Sequence, residues 1–340
     1  MKPPPLISIV TPFFNEGEGV DIFYREIRLA AASIDGVRFE FICIDDGSTD
    51  DTLRRLAELP GLDSRFRVIE LSRNFGKEAA LTAGLDAACG DAVIPIDADL
   101  QDPPELIPML IDKWRAGADV VLARRVRRDP DSYAKKRSAG LFYRLHNCLS
   151  SVQIPENVGD FRLMDRAVVQ ALGQVRETQR FMKGLFAWLG FKTETIEYAR
   201  APRAKGITKF SGWKLWNLAM EGITGFSTVP LRIWTYVGGL GALLTLCYAA
   251  FIVMRTLIQG IDVPGYASLL VAVLFLGSLQ LISIGLLGEY IGRMYLEAKR
   301  RPIYLVRKIH ERTDEPRDAH VERADPVTLR PAVPSPRPEA

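Results

Sequence analysis

The sequence predicts an α/β protein with a mostly parallel sheet, followed by two membrane-spanning helices. Between residues 6 and 198, short apolar runs typical of buried strands alternate with segments of helical spacing. Two later runs, Ile233–Met254 and Ala267–Gly288, contain no charged residue. Each would form a helix about 33 Å long, which is enough to cross a bilayer core with some tilt.

The composition gives no sign of a nucleic-acid partner, a disulfide framework or a signal peptide. The net charge of the 340 residues is only +3, so the sequence gives no global case for nucleic-acid binding, and we expect none. The four cysteines show no spacing typical of a disulfide framework or a metal site. The first residues lack the apolar core of a signal peptide, so the amino-terminal domain is predicted to be cytoplasmic.

The individual elements follow from apolar periodicity and from turn signals. The predicted strands are Leu6–Phe14, Phe39–Ile44, Arg67–Leu71, Ala92–Ile96, Asp119–Ala123 and Thr193–Tyr198. The predicted helices are Gly19–Ser33, Asp51–Glu58, Lys77–Ala88 and Gln179–Leu189. A further strand-like segment, Val158–Met164, carries Asp160 and Arg162.

Polar side chains recur where the predicted strands end. The clusters are Asn15-Glu16, Asp45-Asp46, and Asp97 with Asp99. Because the carboxyl ends of parallel strands meet at one edge of a sheet, where open α/β sheets bind ligands, we expect these clusters to converge. Taken singly, each cluster could instead cap a helix or form a turn.

The segment Val93–Glu105 carries the main metal-site signal. Asp97, Asp99 and Gln101 offer hard oxygen ligands on alternate residues after a buried strand. This ligand set suits Mg²⁺ or Mn²⁺ with positions left open for phosphate oxygens. The alternative is a polar loop that caps the next helix, because Asp-x-Asp is a short and common pattern.

Two basic stretches lie in the later part of this domain. The first runs from Arg124 to Arg137 and contains seven Lys or Arg residues, with Ser138 directly after it. The second is broken by a proline and a glycine and includes Arg203 and Lys209, which predicts a mobile basic loop able to fold over a diphosphate. Each stretch suits phosphate or anionic lipid, and the alternative is a solvated loop.

The domain boundaries follow from composition. After Ser211, tryptophans and aliphatic residues alternate with polar ones, which predicts an amphipathic interfacial helix, with a soluble surface helix as the alternative. Basic residues follow the second span but are absent from the loop between the spans, so both termini are predicted to be cytoplasmic. The predicted divisions are a catalytic domain at 1–210, an amphipathic segment at 211–232, a transmembrane hairpin at 233–292, a juxtamembrane segment at 293–312 and a disordered tail at 313–340.

Five motifs in combination resemble a known family. They are Val10-Thr-Pro-Phe-Phe-Asn-Glu, Asp45-Asp-Gly-Ser-Thr-Asp, Arg73-Asn-Phe-Gly-Lys, Asp97-Ala-Asp-Leu-Gln-Asp-Pro-Pro-Glu and Gly159-Asp-Phe-Arg-Leu-Met-Asp. With the basic loop and the two-helix ending, they make Leu6–Val306 similar to family 2 glycosyltransferases of the GT-A fold. The resemblance is to the polyisoprenyl-phosphate glycosyltransferases related to dolichyl-phosphate mannose synthase.

The resemblance implies roles for individual residues. The implied sites are Pro12, Glu16 and Asp46 for the nucleoside, Asp97, Asp99 and Gln101 for the metal on the donor diphosphate, Arg203 and Lys209 for phosphates, and Arg124, Arg137 and Ser138 for the lipid phosphate. Asp97 and Asp160 are the predicted catalytic residues. Asp160 would act as a base or as an orienter of the sugar, and a structural pairing with Arg162 is the alternative.

The implied reaction is the inverting transfer of a hexose from a nucleotide sugar to a polyisoprenyl phosphate at the cytoplasmic face of the inner membrane. UDP-glucose and undecaprenyl phosphate are the expected donor and acceptor, and the product would serve cell-envelope glycan modification. The acceptor phosphate is already ionised near pH 7, so a strong base is less necessary than for a sugar hydroxyl.

Two other functions fit parts of the sequence. One is a processive polysaccharide synthase of the same fold, although Gln179-Arg180-Phe181 lacks the Gln-x-x-Arg-Trp motif typical of those enzymes. The other is a non-catalytic membrane module that binds sugar nucleotides. A homo-oligomer formed through the spans and the segment after Gly288 is a further hypothesis.

Overall fold

The computed structural model describes residues 3–125, 158–175, 177, 180, 182–198 and 265–312, together with individual positions between 234 and 258. The chain divides into two compact units. The first contains Met1–Ser132, Ile154–Lys209 and Pro302–Ala340, and the second contains Tyr133–Gln153 and Phe210–Arg301.

The first unit is built on a mixed sheet. Its strands are β1 (Leu6–Phe13), β2 (Arg38–Asp45), β3 (Phe66–Leu71), β4 (Ala92–Pro95), β5 (Val120–Arg125), β6 (Val158–Asp165), β7 (Thr193–Tyr198) and β8 (Val306–His310). Their order across the sheet is β7-β5-β6-β4-β1-β2-β3-β8. The pairs β1–β2, β1–β4, β2–β3 and β5–β7 are parallel, whereas β6 and β8 run antiparallel to their neighbours. The predicted α/β class with a mostly parallel sheet is confirmed.

Helices cover both faces of this sheet. They are α1 (Val20–Ala32), α2 (Thr52–Leu62), α3 (Lys77–Ala87), α4 (Ile107–Arg115), α5 (Arg166–Gln174) and α6 (Met182–Trp188). Side chains alternate along β1, so Ile7 and Ile9 join a core with α1, α2 and α4, while Val10 faces α3 on the other side. Burial on both faces explains why β1 is a nearly continuous apolar run.

The sequence predicted β6 as the strand-like segment Val158–Met164, but it did not show where β6 or β8 lies in the sheet. β6 lies between β4 and β5 and runs antiparallel to both, so its first residues lie beside the carboxyl end of β4. β8 lies within the segment predicted only as juxtamembrane, and it pairs with the outer edge of β3. This pairing covers an otherwise open sheet edge with a strand that arrives from the far end of the sequence.

The second unit contains the helix α7 (Tyr266–Ala298), whose 33 residues include the predicted second span. Within the part of the chain that is described, its portion Phe275–Ala298 is the one helix long and apolar enough to cross a membrane, and its surface is exposed. The predicted first span, Ile233–Met254, is described only at separate positions, and each described position in it is helical. Two spanning helices therefore stay a prediction, as do the interfacial segment 211–232 and the tail 313–340, both outside the described residues.

Candidate functional site

The candidate site lies at the carboxyl ends of β1, β2 and β4, as the strand-end clusters predicted. The loops after β1 and β2 are bound directly to each other. The amide of Asn15 donates to Ser48 Oγ at 3.1 Å, and Thr49 N donates to Asn15 Oδ1 at 2.8 Å. Asn15 adopts a φ of 54°, a left-handed conformation that asparagine tolerates better than most residues. Asn15 therefore makes a turn that holds the two loops together.

Glu16 follows this turn and faces other acids. Its amide donates to Thr52 Oγ1 at 2.9 Å, which fixes the backbone, while the side chain stays exposed. The pKa of Glu16 is raised, first because neighbouring protein atoms partly desolvate its carboxylate even though the side chain is exposed, and then because of the nearby carboxylates of Asp99 and Asp50. Glu16 and Asp99 therefore share one electrostatic environment, although they are far apart in sequence.

The predicted nucleoside residue Asp46 fixes a neighbouring loop. Its two carboxylate oxygens accept from the amides of Phe75 and Gly76 at 2.7 and 2.9 Å, which ties the β2–α2 loop to the β3–α3 loop. A Cβ at Gly47 would come within 2.6 Å of the Asn74 amide nitrogen, and Gly47 has a φ of 66°, so glycine is required there. The third predicted nucleoside residue, Pro12, is the second-last residue of β1 and is partly buried.

Asp45 is a candidate that the sequence-based roles did not single out. It is only 1% exposed, and Ser48 N donates to its Oδ2 at 3.2 Å. Its other oxygen is buried without a hydrogen-bond partner among the described residues. Burial raises the pKa of Asp45, Ser48 opposes that shift, and Glu70 on the adjacent strand adds to it. An acceptor of this kind can receive a donor group from a ligand.

The residues after β4 form a tight polar turn. Gln101 N donates to Asp99 Oδ1 at 3.2 Å, and Leu100 has a φ of 48°. Gln101 Oε1 is buried without a hydrogen-bond partner in the described part of the chain. At the end of the turn, the Tyr198 hydroxyl of β7 donates to the buried carboxylate of Asp102, which anchors the segment to the sheet.

The predicted metal ligands suit a hard cation chemically. Asp97 and Asp99 supply carboxylates, and Gln101 supplies a buried amide oxygen that still needs a partner. Within the described ranges, no group of three or more His, Cys, Asp or Glu side chains has the geometry of a preformed metal site. A cation at this position would therefore depend on the glutamine oxygen and on oxygens of the substrate.

Asp160 lies beside Asp97 because β6 is antiparallel to β4. Ala92 pairs with Asp165 and Val93 with Met164, and continuing this register beyond the last paired residues brings Asp160 next to Asp97. Burial is the largest cause that raises the pKa of Asp97; Lys77 opposes it, while Asp160 and Asp99 add to it. The structure thus brings together the two residues predicted to be catalytic.

Lys77 connects these two carboxylates, and the sequence-based site assignment missed it. Its ammonium lies 2.7 Å from Asp97 Oδ1 and 2.7 Å from Asp160 Oδ2. Burial by itself lowers the pKa of Lys77, but the two carboxylates outweigh it, so the pKa is raised and the side chain is a cation. The available signal was its position as the last residue of the motif Arg73-Asn-Phe-Gly-Lys, directly at a predicted helix start.

Arg162 stabilises the backbone that presents Asp160. It is 5% exposed, donates to the carbonyl oxygen of Gly159 at 2.8 Å, and lies 4.0 Å from the ring centroid of Phe186. Burial lowers the pKa of Arg162 to about 10, and the carboxylates of Asp160 and Glu78 oppose that shift. The hydrogen bond from Arg162 Nε goes to the carbonyl oxygen of Asp160, whereas the carboxylate of Asp160 binds Lys77.

Of the five predicted phosphate-binding residues, Arg124 lies within the described residues, where it pairs with Val158 of β6. Arg124 lies on β5, half exposed, and its Nη1 is 3.9 Å from Glu197 Oε1. This contact is a surface ion pair and contributes little to stability. The other four, Arg137, Ser138, Arg203 and Lys209, fall outside the described ranges, so their roles stay predictions.

Comparison with known proteins identifies the family. Residues 8–173 match the family described as Glycosyl transferase family 2, and residues 229–294 match the GtrB C-terminal hairpin. The SfII prophage-derived bactoprenol glucosyl transferase of Shigella flexneri is 53% identical over 304 residues, which cover 89% of this chain and 98% of the relative.

Two further relatives are similar over nearly the whole chain. The prophage bactoprenol glucosyl transferase homolog of Escherichia coli K12 is 52% identical over 89% of this chain and 99% of its own length. An uncharacterized glycosyltransferase of Synechocystis sp. is 50% identical over 88% of this chain and 94% of its own length. The chain, with its GT-A-like α/β fold, is therefore a glycosyltransferase of family 2, and its resemblance to the polyisoprenyl-phosphate glycosyltransferases is confirmed.

Proposed function

We propose that this protein transfers glucose from UDP-glucose to undecaprenyl phosphate at a membrane surface, with inversion at the anomeric carbon. The observation that carries the proposal is the cluster of Lys77, Asp97 and Asp160 at the sheet edge where family 2 enzymes would hold the donor. The names of the two bactoprenol glucosyl transferase relatives support the choice of glucose and of a polyprenyl carrier.

The donor would bind across the loops that follow β1, β2 and β4. We assign the nucleoside to Pro12, Glu16 and Asp46, and we add Asp45 because its buried oxygen has no hydrogen-bond partner among the described residues. The diphosphate would lie toward Asp97 and Asp99. The mutual hydrogen bonds of these loops pre-organise the surface before the donor arrives.

A divalent cation, Mg²⁺ or Mn²⁺, would be held by Asp97, Asp99 and Gln101. When bound, it would stabilise the negative charge that develops on the departing nucleoside diphosphate. The buried oxygen of Gln101 supports this assignment, because an acceptor removed from water without a partner is costly unless a ligand completes it.

The transfer itself requires little proton chemistry. An oxygen of the acceptor phosphate attacks the anomeric carbon while the bond from that carbon to the diphosphate oxygen breaks, and the bonding electrons leave with the nucleotide. Because the acceptor is already an anion, no proton has to be removed from it. Lys77 binds the carboxylate of Asp160 and stabilises its ionised form, so this geometry favours Asp160 as an orienter of the sugar over Asp160 as a base.

The acceptor lipid implies a membrane. The apolar and exposed surface of α7 and the match to a carboxyl-terminal hairpin support a two-span anchor at 233–292. We propose that both termini are in the cytoplasm because basic residues follow the second span and are absent from the loop between the spans. Ser138 and the basic residues Arg124, Arg137, Arg203 and Lys209 would then meet the lipid phosphate and the donor phosphates.

Product formation tests the proposal. Membranes containing the protein would be supplied with undecaprenyl phosphate and a panel of labelled UDP- and GDP-sugars, with and without Mn²⁺ or Mg²⁺. We expect label in the lipid fraction from UDP-glucose, loss of that label with a chelator, and a fall of roughly 100-fold in Asp99→Asn. Asp112→Asn, an exposed carboxylate on α4, is the matched control and should keep its activity.

Other outcomes would redirect the proposal. Label from a different donor would keep the reaction class and change the sugar. A labelled product that grows into a polymer would favour a processive synthase. Binding of UDP-glucose without product, unchanged in Asp99→Asn, would favour a non-catalytic module.

A further inference from the structure

Lys77 is the first residue of α3 and lies between two acids that come from distant parts of the chain. Its ammonium contacts Asp97 of the β4 end and Asp160 of β6, each at 2.7 Å. The turn before it is fixed, because Asp46 accepts from the amides of Phe75 and Gly76. Lys77 therefore extends from a rigid point, and 46% of its side chain remains accessible to solvent.

The contact of Lys77 differs from an ordinary surface ion pair because one cation neutralises two carboxylates that repel each other. Asp97 and Asp160 are like charges brought together by the antiparallel register, with Asp99 close enough to affect Asp97. Two such carboxylates repel each other unless a cation lies between them. Among the described residues, the cation that bonds to both is Lys77.

We propose that Lys77 is a positioning residue that holds Asp160 in place for the sugar and competes with the divalent cation for Asp97. Before the donor binds, the ammonium occupies both carboxylates. If Asp97 held a metal, Lys77 would keep its bond to Asp160 and would hold the orienting carboxylate next to the metal site. This inference rests on the proposed function, which makes Asp97 a metal ligand and Asp160 an orienter.

The competition predicts opposite effects on metal binding and on turnover. In Lys77→Met, which keeps the length of the side chain without its charge, Mn²⁺ alone should bind at least about threefold more tightly, because a competing cation is gone. The turnover number should nevertheless fall by about 10- to 100-fold, because Asp160 is no longer held in position. A lysine whose ion pair lies outside the metal site would not tighten Mn²⁺ binding when it is removed.

Binding of Mn²⁺ to the full-length protein in detergent, followed by electron paramagnetic resonance without any sugar donor, measures the first effect. Lys77→Arg keeps the charge and should bind Mn²⁺ as the wild type does, with turnover between that of wild type and Lys77→Met. Lys113→Met removes a lysine that pairs with Glu194 on the surface, and it should change neither quantity.

A double-mutant cycle tests whether Lys77 acts through Asp160. If it does, Lys77→Met should lower turnover far less in an Asp160→Asn background than in the wild type. Equal losses in both backgrounds, or weaker or unchanged Mn²⁺ binding in Lys77→Met, would overturn the inference. If Lys77→Met does not fold, Lys77→Arg replaces it in this test. A loss of turnover in Lys77→Arg as large as the loss in Asp160→Asn would then overturn the inference.

Failure of the proposed function would look different. If the wild type bound no Mn²⁺ and no Mg²⁺, the metal assignment itself would be wrong, whatever the variants did. If the wild type bound Mn²⁺ and transferred glucose while Lys77→Met behaved as wild type, only the role of Lys77 would be lost.

Discussion

The guanidinium of Arg162 in β6 lies 4.0 Å from the ring centroid of Phe186 in α6 and donates to the carbonyl oxygen of Gly159 at 2.8 Å. The hydrogen bond fixes the backbone directly before Asp160, so a buried arginine helps to position the carboxylate that we propose orients the sugar. The site therefore depends on side chains beneath it as well as on those that face the substrate.

Replacing Arg162 should damage both stability and turnover. Arg162→Met removes the donor to Gly159, which costs about 1–3 kcal/mol of unfolding free energy, and lets Asp160 move. Arg162→Lys keeps the charge over Phe186 but loses the planar fork, so it should rescue stability more than turnover. Thermal unfolding and initial rates of lipid product measure the two effects, and full turnover in Arg162→Met would contradict this role.

We expect Gln101 to bind the metal and, when no metal is bound, to lower the stability of the folded protein. Gln101→Met removes a buried oxygen that has no hydrogen-bond partner in the described chain, so the thermal midpoint should stay equal or rise. Mn²⁺ binding should weaken by at least about tenfold, because a direct ligand should matter no less than an outer-shell partner. If Mn²⁺ affinity is unchanged, Gln101 does not bind the metal.

Asp45 should make stability depend on pH. Its pKa is raised mainly by burial, so the folded protein holds this proton more tightly than the unfolded chain does. The contribution of Asp45 to folding is complete at low pH and is lost as pH rises through the raised pKa. Asp45→Asn removes this titration, so the variant should not lose stability in this way as the pH rises. The difference in thermal midpoint, variant minus wild type, should therefore increase between about pH 4 and about pH 7.

The matched control for Asp45 is Asp112→Asn, which alters an exposed aspartate on α4. We expect its difference from the wild type to stay constant across the same range. A flat difference for Asp45→Asn as well would show that Asp45 does not titrate with folding.

The pairing of β8 with β3 should depend on Glu70. This carboxylate is 7% exposed and contacts Arg307 and His310, each at 3.2 Å. Glu70→Ala removes this partner from Arg307 and His310 and should loosen β8 from β3 by about 1 kcal/mol, which corresponds to roughly fivefold faster trypsin cleavage after Arg307 or Lys308. Glu105→Ala, at an exposed carboxylate, should leave the cleavage rate unchanged.

Packing between α3 and the sheet should distinguish two glycines. A Cβ at Gly84 would overlap the side chains of Val10 and Ile44, whereas a Cβ at Gly173 in α5 meets no atom within 4 Å. Gly84→Ala should therefore lower the unfolding free energy by about 1–3 kcal/mol. Gly173→Ala should raise it by up to about 1 kcal/mol. Equal midpoints for the two variants would show that α3 can shift away from the sheet.

Much of the fold was predictable because local periodicity reports burial. Continuous apolar runs indicated β1, β2 and β4, and the polar residues after them indicated the site, since carboxyl ends of parallel strands share one edge. The helix α5 was missed, although Asp165 caps it by accepting from Ala167 N. The strand β6 was predicted as the segment Val158–Met164, but β8 was not predicted. The antiparallel direction and the partners of both strands were missed, because those partners are far away in sequence.

The sequence by itself determined the α/β class, the acidic residues at the strand ends, the apolar helix near the carboxyl terminus and the family. Only the tertiary structure decided that Asp160 lies beside Asp97, that Lys77 bonds to both, and that residues 306–310 complete the sheet. The physical reason is that apolar spacing specifies which face of an element is buried. The order and direction of strands, and therefore the meeting of distant charges, depend on packing across the whole domain.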